Sequence, residues 1–164
     1  MGAVFRAEFD GLGFTTEWMD GTPFERGGHL VADHPGPGPR LLLIGHLDTV
    51  FEPDSPFQKF ERISATAARG PGITDMKGGD VAMLQALRAL QSVGTLKSMN
   101  IVVVMTGDEE AAGRPLSASR AALVAAAQGA QAAIGFEDGD GDPKTAVIGR
   151  RGTTNWELRV KGKP

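Results

Sequence analysis

The stretch RLLLIGHLDTVF, residues 40–51, shapes the prediction of the fold more than any other part of this sequence. Its apolar run Leu41–Ile44 is typical of a buried strand, and His46 and Asp48 follow within four positions. A polar pair of this kind does not suit the interior of a strand, whereas the end of a strand can present both side chains to a site. We therefore predict a core strand over residues 40–45 that delivers His46 and Asp48 to a functional site.

The rest of the sequence alternates predicted strands with predicted helices. The strands are predicted at residues 14–18, 28–33, 40–45, 101–105, 132–136, 145–148 and 153–160. The helices are predicted from the opening residues to Gly11, over residues 78–93 with Val81, Leu84, Leu87 and Leu90 at helical spacing, and over residues 116–127. This alternation predicts an α/β sandwich with a mixed, largely parallel sheet.

Composition excludes several classes of protein. The 164 residues are 41% hydrophobic and 23% charged, which is typical of a globular domain with a buried core. A net charge of −3 without a basic stretch argues against a nucleic-acid partner, and no apolar run approaches the roughly 18 residues of a membrane span. Cysteine is absent, so any metal must be held by histidine and carboxylates, and the cellular compartment stays open.

Acidic side chains follow the predicted core strands where those strands end. Each group lies after an apolar strand, except for one in the loop GPGITDMKGG before a helix; the groups are His46 and Asp48, Asp75, Glu109 and Glu110, and Glu137 and Asp138. The carboxyl ends of parallel strands meet at one edge of a sheet. Acidic groups repel one another there unless cations lie among them. The sequence therefore predicts a metal site.

The residue types also suggest how such a site would work. Histidine nitrogen and carboxylate oxygen suit zinc, with cobalt or manganese as alternatives. Asp48 is placed to accept the second N–H of His46 and so fix its tautomer. Asp75 could bridge two ions about 3.5–4 Å apart. Of Glu109 and Glu110, one could bind metal while the other takes a proton from water.

Each signal is weak when it is taken alone, and two alternatives to an enzyme stay open. An H-x-D pair at a strand end is more often structural, and paired acids are more often a solvated face. The first alternative is a metal-containing module for binding or assembly, although such a module has no need of a base such as Glu109. The second is a nucleotide-binding domain that uses GPGITDMKGG, but Lys77 is followed by Gly78 rather than by Ser or Thr.

At these residues the sequence resembles metallopeptidase family 20, which includes acetylornithine deacetylase, succinyl-diaminopimelate desuccinylase, aminoacylase and bacterial glutamate carboxypeptidase. GHLDTV, GPGITDMKGG, TGDEE and GFED match successive motifs of that family in order and at similar spacing. The resemblance covers nearly all of the chain. It implies a three-layer sandwich of the zinc-peptidase type and hydrolysis of a peptide or N-acyl amino acid bond by two zinc ions.

The resemblance also implies a role for each motif residue. These roles are first-ion ligand for His46 and Glu137, orientation of His46 for Asp48, a bridge between both ions for Asp75, second-ion ligand for Glu110, and general acid/base for Glu109. Asp138 departs from the proline that many relatives carry. The segment AAGRPLSASR resembles the glutamate carboxypeptidase-like branch, which implies a small-molecule or peptide substrate with a free carboxylate.

The resemblance further implies a domain division. Residues 1–149 correspond to part of a catalytic domain, and residues 150–164 to the first strand of a lid or dimerisation domain. In relatives, the rest of the lid supplies a histidine that stabilises the tetrahedral intermediate, often across a homodimer, and a returning segment supplies a histidine for the second ion. We expect His29 and His34 to be core or surface residues rather than substitutes. These 164 residues alone are therefore expected to bind one ion better than two and to show little turnover.

Overall fold

A computed structural model describes residues 1–142, 144–149, 152, 154 and 156–162. Its strands are β1 (Thr15–Met19), β2 (His29–His34), β3 (Arg40–His46), β4 (Glu61–Arg62), β5 (Ala68–Arg69), β6 (Asn100–Thr106) and β7 (Ala132–Gly135). Its α-helices are α1 (Gly2–Gly11), α2 (Gly78–Ser92), α3 (Leu116–Ser119) and α4 (Ala121–Ala127). None of the described helices is long and apolar enough to cross a membrane.

Five strands form one mixed sheet in the order β1-β2-β6-β3-β7, and β4 and β5 form a separate small hairpin. β3 runs parallel to both of its neighbours, with Leu43 opposite Val103 of β6 and opposite Ile134 of β7. β2 is antiparallel to β6 and to β1. The predicted mixed, largely parallel centre is therefore confirmed, and β3 lies in the middle of its parallel part.

Helices cover both faces of the sheet, and this gives the three predicted layers. Successive side chains of a strand point to opposite faces. On one face the core is built from α1, α2 and the strands, including Phe5, Phe9, Leu30, Leu43, Met83, Leu84, Leu87, Val103 and Met105. On the other face α4 packs against the alternate strand positions, through Leu42, Val102, Val104 and Ala126. β6 is buried along almost its whole length because both of its faces are covered, as its continuous apolar run predicts.

The buried stripe of α2 differs from the predicted one. Its buried residues are Asp80, Met83, Leu84 and Leu87, whereas Val81 is 49% exposed. A spacing of three residues falls about 60° short of a full turn at each step, so Val81 and Leu90 cannot lie on one face. The stripe follows the i, i+3, i+4, i+7 pattern instead, which brings Asp80 into the core.

The predicted helix over residues 116–127 is divided into α3 and α4. Arg120 lies between them with φ −100° and ψ 0°, outside regular helical geometry. Its guanidinium donates a hydrogen bond to the buried Asp108 there, so a tertiary contact interrupts the helix.

The predicted strands near the end of the chain are not present in the described residues. Residues 145–149 and 156–162 form no strand, and Trp156 and Val160 are more than four-fifths exposed. A strand needs a hydrogen-bonded neighbour, and none of the described strands pairs with these segments. Residues 153 and 155 of the predicted strand lie outside the described residues, and the domain division after residue 149 stays a prediction.

Candidate metal centre

The three parallel strands end at the same edge of the sheet, and most of the predicted site residues lie at these strand ends or just after them. His46 is the last residue of β3 and pairs with Thr106, the last residue of β6. Glu109 and Glu110 follow β6, and Glu137 follows β7. The convergence expected for parallel strands thus places side chains from three separate parts of the chain at one rim.

His46 lies at the centre of the rim with carboxylate oxygens near both of its ring nitrogens. Its Nε2 is 2.8 Å from Oδ1 of Asp75 and 3.3 Å from Oε1 of Glu137. Its Nδ1 is 3.4 Å from Oδ1 of Asp48 and 3.2 Å from the carbonyl oxygen of the same residue. The imidazole is 1% exposed, so these oxygens define its surroundings.

Asp48 also joins the end of β3 to the loop that follows β6. Its Oδ1 accepts a hydrogen bond from the backbone N–H of Glu109 at 3.2 Å, and its Oδ2 accepts one from the N–H of Glu110 at 3.0 Å. Burial by itself raises the pKa of Asp48, but its hydrogen bonds with His46 and the two amides lower it below the ordinary value. This link to the glutamate loop was not predicted from the sequence.

Asp75 reaches His46 from the loop Ile73–Lys77, which leads into α2. The loop begins after Gly72, whose φ of +66° lies in the left-handed region that favours glycine. Lys77 fixes the turn, because its N–H donates to the carbonyl of Gly72 at 2.9 Å and its Nζ donates to the carbonyl of Pro71 at 2.8 Å. Gly72 and Lys77 of GPGITDMKGG therefore have a structural role in presenting Asp75.

Gly79 lets the start of α2 approach the segment that carries Glu137. A Cβ at this position would lie 1.9 Å from the carbonyl oxygen of Phe136, so a larger residue does not fit without a shift of the backbone. The contact fixes the distance between α2 and the end of β7. Glu137, one residue later, is thereby held at the rim.

Two sets of side chains could hold a divalent ion within the described residues. One set is His46, Glu109 and Glu137, and the other is His46, Asp75 and Glu110; in each set one nitrogen or oxygen per residue lies within 4.8 Å of the others. Imidazole nitrogen with carboxylate oxygens is a donor set that suits zinc. The residues therefore fit a divalent ion, although the roles expected for Glu109 and Glu110 stay predictions.

The protonation of His46 reflects the density of negative charge around it. Burial by itself lowers the pKa of His46, but hydrogen bonds with Asp48 and Asp75 and the charge of Glu137 together raise it to about 10. Burial, with a further contribution from the charge of Asp75, raises the pKa values of Glu110 and Glu137. The site thus favours positive charge at this position, and a bound cation would supply it.

Asp80 is a buried carboxylate beside the site that the sequence pattern did not reveal. Its two oxygens have no hydrogen-bond partner within the described part of the chain, and a Cβ at Gly45 would lie 2.3 Å from its Oδ1. Burial raises the pKa of Asp80 to about 7; the charge of Glu137 adds to this shift, while the charges of His46 and Lys77 oppose it. Its place on the buried stripe of α2 was the available signal.

Asp108 was also missed, and it directly precedes Glu109 and Glu110 in the loop after β6. Its buried carboxylate accepts hydrogen bonds from the N–H of Gly113 at 2.8 Å, from Oγ of Ser119 at 2.6 Å and from Nη1 of Arg120 at 2.5 Å. Burial by itself raises the pKa of Asp108, but these three donors lower it below the ordinary value. The serine and arginine of AAGRPLSASR were the available signal.

His29 is a core residue, as expected, and not a candidate ligand. Its Nδ1 accepts a hydrogen bond from the N–H of Gly107 at 3.1 Å, and its Nε2 lies 2.7 Å from the carbonyl oxygen of Ser119. The proton is therefore on Nε2, which donates to that carbonyl. The second expected non-ligand, His34, is half-buried and lies 3.1 Å from the carbonyl oxygen of Met99.

A cavity of about 350 Å³ opens beside the candidate ligands. Its lining combines apolar side chains with two of the acidic ones and includes Thr49, Phe51, Phe57, Ile73, Asp75 and Glu110. The rings of Phe51 and Phe57 are 4.8 Å apart in an edge-to-face arrangement. This combination of an apolar wall and a polar end is typical of a small-molecule site.

The sequence is similar to those of known peptidases. The family model of peptidase family M20/M25/M40 matches residues 42–157. Carboxypeptidase G2 of Pseudomonas sp. (strain RS-16) is 29% identical over 163 residues, which are 99% of this chain and 39% of that protein. The chain therefore spans about two fifths of the length of this curated relative.

Solved structures of low sequence identity share the fold. Human carnosine dipeptidase 1 matches with a TM-score of 0.59 and 20% identity over 81% of this chain and 31% of its own. A tripeptidase from Staphylococcus aureus subsp. aureus Mu50 matches with a TM-score of 0.54 and 22% identity over 67% of this chain and 31% of its own. Both share the mixed sheet flanked by helices. Since the family model also covers well over half of the sequence, the chain belongs to peptidase family M20/M25/M40.

Proposed function

We propose that this protein hydrolyses amide bonds in peptides or N-acyl amino acids that carry a free carboxylate, with two zinc ions as its metal centre. The observation that carries the proposal is the buried imidazole of His46, whose Nε2 faces the carboxylates of Asp75 and Glu137 at 2.8 and 3.3 Å. Membership in a peptidase family gives the reaction class. Cobalt or manganese could replace zinc at such a donor set.

The proposed ligands are divided between two ions. His46, Asp75 and Glu137 would hold the first ion, and Asp75 and Glu110 the second. When bound, the ions would polarise the substrate carbonyl and make water more acidic. These 164 residues offer three ligands to the first ion and two to the second. We therefore propose that they bind one ion more tightly than the other and that they turn over little by themselves.

The side chains of the chain prepare the site for this chemistry. The carbonyl oxygen of Asp48 accepts a hydrogen bond from Nδ1–H of His46 at 3.2 Å, with the Asp48 carboxylate at 3.4 Å, which would leave the Nε2 lone pair for the first ion. The same carboxylate fixes the backbone of Glu109 through its N–H. The exposed carboxylate of Glu109 is proposed to take a proton from water and to pass it to the leaving amine nitrogen. The cavity beside Asp75 and Glu110 offers room for the substrate.

Two further features of the proposal rest on the glutamate carboxypeptidase-like segment and on the relatives. These features are a deacylase or carboxypeptidase specificity and assembly into a homodimer. The alternative is a metal-containing module for binding or assembly that does not catalyse a reaction. Such a module would need the metal ligands but would not need Glu109 as a general base.

Zinc titration by calorimetry tests the metal centre. We expect one tight ion in the unaltered chain, and we expect His46→Ala to weaken it by more than about 100-fold, because loss of a ligand costs more than loss of an outer partner. His34→Ala is the matched control, since His34 is half-buried and pairs with Ile101 at the opposite edge of the sheet. Unchanged binding in His46→Ala would contradict the proposal. Two equally tight ions would contradict the division of ligands.

A further inference from the structure

We propose that the Ser119–Arg120 junction between α3 and α4 is a positioning element for the loop that bears Glu109 and Glu110. The inference rests on the proposed function, since it concerns how that site is held in place. The element acts through Asp108, and we refer to Asp108, Ser119 and Arg120 as the Asp108 clamp. None of the three is a proposed ligand or base.

The glutamate loop is held from two sides by two different carboxylates. Asp108 points away from the rim and receives hydrogen bonds from Ser119 and Arg120 at 2.6 and 2.5 Å. The next two residues, Glu109 and Glu110, instead direct their backbone N–H groups to Asp48. The loop is therefore fixed between the candidate metal centre and the helical layer. A change on the helical side would reach the rim through three consecutive residues.

His29 adds a third tie between the same two elements. It accepts the N–H of Gly107 and donates to the carbonyl of Ser119, so it joins the start of the loop to the end of α3. Both of its bonds are buried. This bridge explains why Ser119 can contact Asp108 with its hydroxyl while its carbonyl is turned to His29.

Arg120 contributes the positive charge of the clamp. The Asp108 carboxylate is fully buried, and a buried carboxylate is unfavourable unless a cation and hydrogen bonds compensate it. The guanidinium provides both, since Nη1 contacts Asp108 Oδ1 and Nη2 lies 3.3 Å from the Asp108 carbonyl. Arg120 lies at the break between α3 and α4, and its side chain contacts Asp108 from there. Without it, the buried carboxylate would lose its charged partner, and the loop would shift.

The effect on metal binding should be selective. Glu110 lies on the clamped loop, whereas His46 and Glu137 lie on β3 and after β7. Loss of the clamp should therefore weaken the second ion and leave the first ion nearly unchanged. Removal of partners that orient metal ligands lowers metal affinity by about 10–100-fold in comparable sites.

The test compares Arg120→Ala and Arg120→Lys with Arg40→Ala. Arg40 is a matched control because it also pairs with an aspartate, Asp33, at 2.8 Å, but at the start of β3 and away from the rim. The first readout is amide hydrogen exchange of Glu109 and Glu110 in metal-free protein. We expect exchange at least about 10-fold faster in Arg120→Ala, a smaller change in Arg120→Lys, and none in Arg40→Ala. The second readout is zinc calorimetry, with a 10–100-fold loss at the second ion only.

Several results would overturn the clamp. The first is an amide exchange rate at Glu109 and Glu110 in Arg120→Ala that stays within twofold of the parent. The second is an equal acceleration of exchange in Arg40→Ala. The third is an equal loss of affinity for both ions in Arg120→Ala. If Arg120→Ala does not fold, Ser119→Ala decides in the same way, because it removes one bond to Asp108 and leaves the charge pair. If the parent binds no divalent ion, the proposed function fails, and the exchange rates still decide for or against the clamp.

Discussion

At the scale of single residues, the candidate centre combines one imidazole with carboxylates that come from distant parts of the sequence. His46 and Asp48 were predictable because they come at the end of an apolar run, where a polar side chain can be presented to a site but would be unfavourable in the core. Asp80 and Asp108 were not predictable. Asp80 directly follows the glycine-rich motif GPGITDMKGG, and Asp108 directly precedes the acidic pair Glu109 and Glu110, so the neighbouring motif was interpreted in each case instead. Whether such an aspartate faces the core depends on the rotation of α2 and on the path of one loop. Neither is readable from local spacing alone.

Asp80 should make stability fall as pH rises. Its pKa is raised from 3.8 to about 7 by burial, so the folded protein retains a proton that the unfolded chain releases. This contribution to stability is present below pH 4, decreases up to about pH 7 and is lost above it. At pH 8 the loss amounts to about 4 kcal/mol, and at pH 4.5 to about 1 kcal/mol.

Asp80→Asn should remove this dependence. We expect the free energy of unfolding of the variant, minus that of the parent, to be about 3 kcal/mol higher at pH 8 than at pH 4.5, because only the parent loses stability as Asp80 ionises. Urea denaturation with a chelator at both pH values measures this. The comparison cancels the constant cost of burying an amide. An equal difference at both pH values would show that Asp80 is not a buried carboxylate with a raised pKa.

Glu109 should be required for turnover but not for binding of the ions. In any preparation that hydrolyses an N-acyl amino acid, we expect Glu109→Gln to lower kcat by about 100-fold or more, as loss of a general base does. Zinc affinity should stay within about threefold of the parent. Full activity in the variant would remove Glu109 from the proposed role. A large loss of zinc affinity would instead place it among the ligands, which its distance from His46 and Glu137 permits.

At the scale of elements, most helices and strands of the sheet were predicted because their periodicity is strong. Seven elements lie within a few residues of their predicted ranges, namely α1, α2, β1, β2, β3, β6 and β7. The division between α3 and α4 was not predicted, since it results from the contact between Arg120 and Asp108 rather than from a local breaker. The strands predicted after β7 failed in the described residues because alternation alone does not provide a pairing neighbour.

Gly79 is an element-level test, because it lets α2 approach the end of β7. Alanine inside a helix normally stabilises by about 1 kcal/mol relative to glycine. Here its Cβ would lie 1.9 Å from a backbone oxygen. We therefore expect Gly79→Ala to destabilise by about 1–3 kcal/mol, as overpacking does, and to weaken zinc binding because Glu137 moves.

Gly11→Ala is the control for this change. Gly11 ends α1, and nothing lies within 4 Å of a Cβ at that position. Its alanine variant should be between neutral and about 1 kcal/mol more stable, with unchanged zinc affinity. Urea denaturation and calorimetry on both variants measure the contrast. Equal stability of the two variants would show that the approach of α2 to Phe136 is not tight.

At the scale of the whole molecule, the site follows from the sheet. The parallel neighbours β6, β3 and β7 end at the same edge of the sheet. Residues that are far apart in the sequence therefore meet there because of the strand order alone. That convergence could be predicted from the order of apolar strands and acidic groups. The assignment of individual carboxylates to ions could not, because several oxygens lie within reach of one imidazole.

Zinc-edge anomalous diffraction from crystals soaked in zinc tests the metal centre most directly. The account predicts a peak about 2.0–2.2 Å from Nε2 of His46, with carboxylate oxygens of Asp75 and Glu137 completing its ligands. Zinc bound elsewhere, or Asp75 and Glu137 turned away from the ion, would contradict it.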